Sequence, residues 1–139
     1  VKVLGTFYAC RAAGKQMIKQ GEGGRIVNLS STMGKSGRAN TSAYNAANFA
    51  IDGFTQALAK EVGQYEITAN SVCPGTTETS RLDPVGRGDV WQDRLPSIPL
   101  SLAGTDDQVG ELIGFLCSPR AGYITGQSVN INGGSVTER

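Results

Sequence analysis

Ser31 and Tyr44 are the residues of this chain whose types and spacing are readiest to do chemistry. They stand thirteen positions apart. Ser31 follows an apolar, partly β-branched run, Arg25-Ile26-Val27-Asn28-Leu29-Ser30, and Tyr44 opens an Ala-rich segment. A hydroxyl and a phenol each offer one O–H donor, and a free phenol is an acid with a pKa of about 10. Where a reacting oxygen gathers negative charge, one such donor can sit on that oxygen and another can supply a proton. Each residue also has a plain structural role open to it. Ser31 can cap a turn, and Tyr44 can be a packed helix residue whose hydroxyl finds a partner.

The rest of the composition removes competing chemistries. The 139 residues include no His, so a Ser-His-Asp triad or a His-assisted thiol has no base. Cys10, Cys73 and Cys117 are odd in number and unclustered, and no Cys-x-x-Cys occurs, so no metal site is expected. Set among apolar residues, all three are expected to be reduced core thiols, which fits a cytoplasmic setting. Thirteen Lys and Arg against twelve Asp and Glu offer no basic surface for nucleic acid and no basic amphipathic helix for a membrane. No apolar run nears the roughly 20 residues that span a bilayer, and the first residues lack a signal-peptide layout. A soluble protein is expected.

The elements that must position Ser31 and Tyr44 follow from periodicity. Val3, Phe7, Cys10 and Met17 recur at helical spacing up to Gln20, and Gly21-Glu22-Gly23-Gly24 ends that helix. Arg25 to Ser30 has no 3.6 period and reads as a strand buried on both faces of a parallel sheet. Thr41 or Ser42 is placed to cap a helix from Ser42 to Val62, whose apolar face is expected to include Phe49, Phe54, Leu58 and Val62. Ile67 to Cys73 reads as a second strand, broken by Pro74-Gly75 at its carboxyl end, where α/β sheets bind ligands. Residues 76–102 change to Pro, Gly, Asp and Arg with one Trp, consistent with a lid of loop and short helices. Thr105-Asp106-Asp107 is placed to cap a helix through Leu116, and Gln127 to Asn132 gives a third strand before Gly133-Gly134. Helix, strand, helix, strand, lid, helix, strand is the alternation of an α/β parallel sheet with crossover helices.

Six segments, in order and spacing, carry a resemblance. They are Gly5-Thr6-Phe7, Arg25 through Ser31, Ser42-Ala43-Tyr44, Gly53-Phe54-Thr55, Ala69 through Gly75, and Tyr123-Ile124-Thr125-Gly126-Gln127 on to Gly133-Gly134. Together they resemble the short-chain dehydrogenase/reductase family along nearly the whole chain. The resemblance implies a Rossmann-like sheet, the carboxyl-terminal half of the doubly wound fold, as one partial domain over residues 1–139. It also implies an oxidoreductase that interconverts an alcohol and a ketone with NAD or NADP. Ser31 then orients the carbonyl, and Tyr44 is the acid in reduction and the base in oxidation. Pro74, Gly75, Thr77 and Thr79, with Thr76, resemble the segment that holds the nicotinamide carboxamide and contacts phosphate. Tyr44 and Asn48 would also face the cofactor, Asn48 through a ribose hydroxyl. Arg81, Trp91 and Arg94 fall in the lid and are given no role. Gly133-Gly134 is expected to permit a tight approach of chain segments, and Asn132 stands where the family often has Asp.

The resemblance breaks at two positions. The family has a Lys four residues after its Tyr, where this chain has Asn48. Val1 through Phe7 aligns with a family segment Val-Asn-x-x-Gly-x-Phe, which puts Lys2 where the fourth catalytic member, an Asn, is expected. An ammonium beside a phenol favours the phenolate, and an amide brings no charge. The reading expected here is that Lys2 is a solvated surface residue and that Asn48 marks lost or strongly reduced activity. The competing reading is that the two have exchanged roles. The sequence also lacks the amino-terminal half in which the family carries its Gly-rich phosphate cradle, so weak or absent NAD(P) binding is expected. A second class therefore stands beside the enzyme: a non-catalytic fragment or pseudoenzyme acting by association. In the family, helices equivalent to 1–20 and 42–62 pack against a second subunit, which implies a homodimer or homotetramer. An unpartnered half-sheet edge would also invite association.

Overall fold

The computed structural model describes residues 1–79 and 94–137. The first helix, α1 (Lys2–Gln20), stops at Gly21, whose φ of 72° turns its N–H onto the Met17 carbonyl. Such a left-handed closure suits glycine, which has no Cβ to clash. Strand β1 (Gly24–Leu29) follows, one residue earlier than the pattern indicates at each end. Helix α2 (Ser42–Val62) and strand β2 (Ile67–Pro74) come next. After the short strands β3 (Thr77–Glu78) and β4 (Gly104–Thr105) come helix α3 (Asp106–Cys117) and strand β5 (Ser128–Ile131). Of the lid segment, only the two ends are described, including a 3-10 turn at Leu95–Ser97. Arg81 and Trp91 lie outside the described residues.

Strands β1, β2 and β5 form one parallel sheet in the order β1-β2-β5, with Ile26 opposite Ala69 and Val72 opposite Val129. Parallel neighbours cannot be joined by a tight turn, so α2 carries the chain from β1 to β2 and α3 lies on the way to β5. The central strand β2 is buried from Ile67 to Cys73, as its lack of alternation requires. On one face of the sheet, Ile26, Ile67 and Ala69 pack with Cys10 of α1 and Leu58, Ala59 and Val62 of α2. On the other, Val72 packs with Leu116 of α3, and Val27, Val109, Ile113 and Val129 close around them. This is the expected Rossmann-like α/β class: helices on both faces of a parallel sheet. Among the described residues no helix is long and apolar enough to cross a membrane.

Three expectations about single elements are corrected. Phe49 is exposed, because the buried stripe of α2 runs Asn45, Asn48, Ile51 and Asp52, Thr55, Leu58 and Ala59, Val62, and Phe49 falls beside it. The stripe is polar at its first turns and apolar only farther on, which a search for apolar periodicity passes over. Cys117 is also exposed. It ends α3 next to the fully buried Leu116, and one helical step of about 100° turns it to solvent. Val3 and Phe7 of α1 are likewise exposed, and only Cys10 and Gly14 of that helix are buried.

The caps also divide. At α3, Thr105 Oγ1 accepts from the Gln108 N–H at 3.2 Å and Gln108 Oε1 accepts from the Thr105 N–H at 2.9 Å, a complete capping box. Thr41 occupies the N-cap position of α2 without a side-chain cap bond. Its hydroxyl turns back to the Arg38 carbonyl at 2.9 Å.

Candidate active site

Strand β1 delivers Ser31. The Ser30 N–H is tied to the Val72 carbonyl of β2 at 2.8 Å, and one residue later the chain turns into the 3-10 segment Thr32–Gly34. Ser31 caps that turn, its Oγ accepting from the Met33 N–H at 3.2 Å. The structural role and the chemical one are compatible, since the cap uses a lone pair of Oγ and leaves the O–H proton free to be donated. Tyr44, the third residue of α2, is half exposed. Ser31 and Tyr44 line one cavity of about 500 Å³ together with Pro74, Gly75, Thr76, Thr77, Thr79 and Arg94. The cavity lies beyond the carboxyl ends of β1 and β2, where an open parallel sheet places its ligands.

Buried polar groups hold these elements in register. Asn45, next to Tyr44, donates through Nδ2 to the Met33 and Ser36 carbonyls at 2.8 Å each, fastening the Gly-rich loop to α2. Two turns further, Asp52 is buried and accepts from Ser71 Oγ of β2 at 2.6 Å. Asn28 of β1 donates to Thr55 Oγ1 at 2.9 Å. Buried groups without such partners would cost far more than their bonds return, so this network fixes how α2 sits on the sheet. Sequence reading missed Asn45 and Asp52. Their signal was present as polar residues at 45, 48 and 52, which share one face of a helix.

Lys2 and Asn48 lie together. Asn48 is fully buried, its Nδ2 donating to the Tyr44 carbonyl at 2.7 Å. That bond aims Oδ1 away from the Tyr44 carbonyl, and Oδ1 accepts from the Lys2 ammonium. The same ammonium lies 3.4 Å from the Ser30 carbonyl and 5.6 Å from the centroid of the Tyr44 ring. Lys2 is therefore not the solvated residue expected at that position. The packing of α1 beside α2 carries its side chain inward, over the ring. Asn48 is not among the residues lining the cavity, and both ends of its amide are engaged within the protein.

The remaining predicted positions are set by close backbone approaches. Gly75 N–H donates to the Ile131 carbonyl at 2.9 Å, and a Cβ on Gly75 would lie 2.8 Å from Asn132 Cβ. Thr77 Oγ1 donates to the Gly75 carbonyl at 3.3 Å, and Asn132 holds its own turn by accepting from the Gly134 N–H at 2.9 Å. Gly133 has a φ of 62°, and a Cβ there would reach 2.7 Å from Ile98. The tight approach expected at Gly133-Gly134 occurs within the chain, against residues 98–100. Among the thiols, burial pushes Cys73 up to about 11, reinforced by the Asp52 carboxylate. Burial also raises Cys10, with the Asn28 hydrogen bond opposing it.

The order of these parts finds its match in known proteins. A family model described as enoyl-(acyl carrier protein) reductase matches residues 1–136. The chain belongs to the short-chain dehydrogenase/reductase family. It is 40% identical to the uncharacterized oxidoreductase YohF of Escherichia coli (strain K12), over 96% of this chain and 53% of that protein. Among solved structures, sorbitol-6-phosphate 2-dehydrogenase SrlD from Erwinia amylovora aligns with a TM-score of 0.91 at 32% identity, covering 99% of this chain and 58% of the other. A candidate 2-deoxy-d-gluconate 3-dehydrogenase from Agrobacterium tumefaciens, solved with bound NADP, aligns with a TM-score of 0.86 at 29% identity, over 93% and 53%. These short-chain dehydrogenase/reductase relatives are oxidoreductases, and this chain spans about half the length of the curated relatives it matches.

Whether the short-chain dehydrogenase/reductase residues present fit a nicotinamide cofactor can be tested on the cavity itself. Tyr44, Pro74, Gly75, Thr77 and Thr79 line it side by side, offering hydroxyls and backbone groups to a flat amide-bearing ring. They fit the nicotinamide end. The Gly-rich turn that would receive the pyrophosphate is not in this sequence.

Proposed function

We propose that this chain carries the reacting end of an NAD(P)-dependent oxidoreductase that interconverts a small-molecule alcohol and ketone by hydride transfer. The single observation behind the reading is that Ser31 and Tyr44 open onto the same cavity as Pro74, Gly75, Thr77 and Thr79. Bound there, a nicotinamide supplies or accepts the hydride. Ser31 donates its free O–H to the substrate oxygen and keeps it beside Tyr44, and the capped turn beneath Ser31 limits its movement. In reduction Tyr44 gives its phenolic proton to the oxygen as charge collects there; in oxidation the phenolate takes that proton back. Pro74 and Gly75 would present backbone to the carboxamide, and Thr79 would offer its hydroxyl toward the phosphate.

Association is part of the same reading. Val3, Leu4, Phe7 and Tyr8 are exposed on α1, and Phe49 is exposed on α2, a run of large apolar side chains more extensive than scattered surface residues. These helices pair with the same helices of a second copy, giving a homodimer or homotetramer. A chain that only associates, without turnover, is the competing outcome.

The test is a titration of the purified chain with NADH and NADPH, following cofactor fluorescence, paired with turnover assays on small ketones. Saturable binding, with turnover that disappears in Tyr44→Phe while binding persists, supports the enzyme. Concentration-dependent size in light scattering, with no binding at millimolar cofactor, leaves the associating reading.

A further inference from the structure

We propose that Lys2 supplies the positive charge that works on Tyr44, and that Asn48 is the bracket that holds it there. Three observations meet at this point. The Lys2 ammonium lies 5.6 Å from the centroid of the Tyr44 ring. It donates to Asn48 Oδ1 and to the Ser30 carbonyl, the latter at 3.4 Å. Asn48 is fully buried, and its Nδ2 bond to the Tyr44 carbonyl at 2.7 Å leaves its amide one orientation in which Oδ1 meets Lys2. A flexible ammonium is thus held by two fixed oxygens, one on the turn of α2 that carries Tyr44 and one on the residue before Ser31.

The arrangement rests on the reading of Tyr44 as the acid and base of the site. As Tyr44 releases its proton its oxygen gains negative charge, and a cation already in place stabilises that charge without rearranging. Lys2 acts through Tyr44 and not on the substrate, so it is a positioning residue. The amide of Asn48 brings no charge but fixes where the charge sits. An ammonium has three N–H donors; two are engaged with Asn48 and Ser30 among the described residues, and one remains for a hydroxyl in the site. Lys2 and Asn48 are separated by 46 positions and lie on different helices, so together they supply one cation and one amide beside the same ring.

The experiment measures phenolate reactivity, and requires neither cofactor nor turnover. N-acetylimidazole acylates tyrosine through the phenolate, and mass spectrometry of digests gives the rate at each tyrosine. The fully exposed Tyr123 is the internal control. In Lys2→Gln, Tyr44 acylation is expected to slow by about twofold, the order of a water-screened Coulomb interaction between unit charges several ångströms apart, with Tyr123 unchanged. Lys2→Arg, and the paired exchange Lys2→Asn with Asn48→Lys, are expected to keep the wild-type rate. Loss of rate at Tyr44 in Lys2→Arg as in Lys2→Gln, an unchanged Tyr44 rate in Lys2→Gln, or equal slowing at Tyr44 and Tyr123 each overturns the proposal. If Lys2→Gln unfolds, shown by loss of its circular dichroism signal, the paired exchange decides: wild-type reactivity supports the proposal and slowed reactivity at Tyr44 overturns it. Slowed acylation in a chain that never turns over NAD(P)H would retain this inference and reject the oxidoreductase reading.

Discussion

Asn48 and Tyr44 are joined one helical turn apart, Asn48 Nδ2 donating to the Tyr44 carbonyl at 2.7 Å. The amide is completely buried, so its orientation is set by the backbone of the residue whose phenol faces the cavity.

Replacing Asn48 by Leu removes that bond and the acceptor for the Lys2 ammonium while keeping the number and branching of side-chain heavy atoms. Stability is expected to fall by about 1–3 kcal/mol, the cost of a buried polar partner left unmatched. Urea denaturation followed by circular dichroism checks it. A change under about 0.5 kcal/mol, the usual range for a surface substitution, would mean that neither Asn48 contact contributes to the fold.

Tyr44→Phe separates chemistry from architecture. The phenol oxygen carries no hydrogen bond inside the described structure and the ring is half exposed, so the midpoint of unfolding should barely move. Turnover of a ketone, in whatever assembly supports it, should fall by about 10²–10⁴-fold, the range for loss of a positioned acid or base. Retained turnover would remove Tyr44 from the mechanism.

At Gly75 the limit is space. A Cβ would lie 2.8 Å from Asn132 Cβ and 2.9 Å from its Cα, and neither neighbour is the free end of a flexible chain. Gly75→Ala is expected to cost about 1–3 kcal/mol from forced backbone shifts, and to weaken nicotinamide binding because the same turn lines the cavity. Thermal unfolding of the variant measures the first effect. A melting temperature equal to wild type would show that the approach of β2 to Asn132 is loose.

The thiols give a pH dependence. Burial raises Cys73 to about 11 and moves Cys10 in the same direction. The folded chain thus holds these protons more tightly than an unfolded one with thiol pKa of about 8.5. Their contribution to stability is complete below the unfolded value and is lost as pH rises toward 11. Melting temperature should drop between those limits, and less steeply in Cys73→Ala. At neutral pH, iodoacetamide should label the exposed Cys117 first and leave Cys10 and Cys73 until the chain is denatured. Equal labelling of all three would contradict the burial.

Much of the fold was legible because it is written in local terms. The period of α2, the cap at Thr105 and the unalternating run of β2 each depend on residues within a few positions of one another, and each formed where the pattern placed it, with β2 running one residue on to Pro74. The order of these segments carried the family and, with it, Ser31 and Tyr44 as the residues to examine. What sequence alone did not decide were relations across the chain. Phe49 and Cys117 face solvent, although their surroundings in the sequence are apolar, because a single helical step separates a buried side chain from an exposed one. Asn45 and Asp52 serve the core as polar anchors because their partners come from the Met33–Ser36 loop and from β2. Lys2 reaches Asn48 because α1 lies beside α2. The sequence by itself determined which residue types were available, one ammonium and one amide at two altered positions. Only the packing of two helices decided that they touch, since a contact over 46 positions depends on the path of everything folded between them.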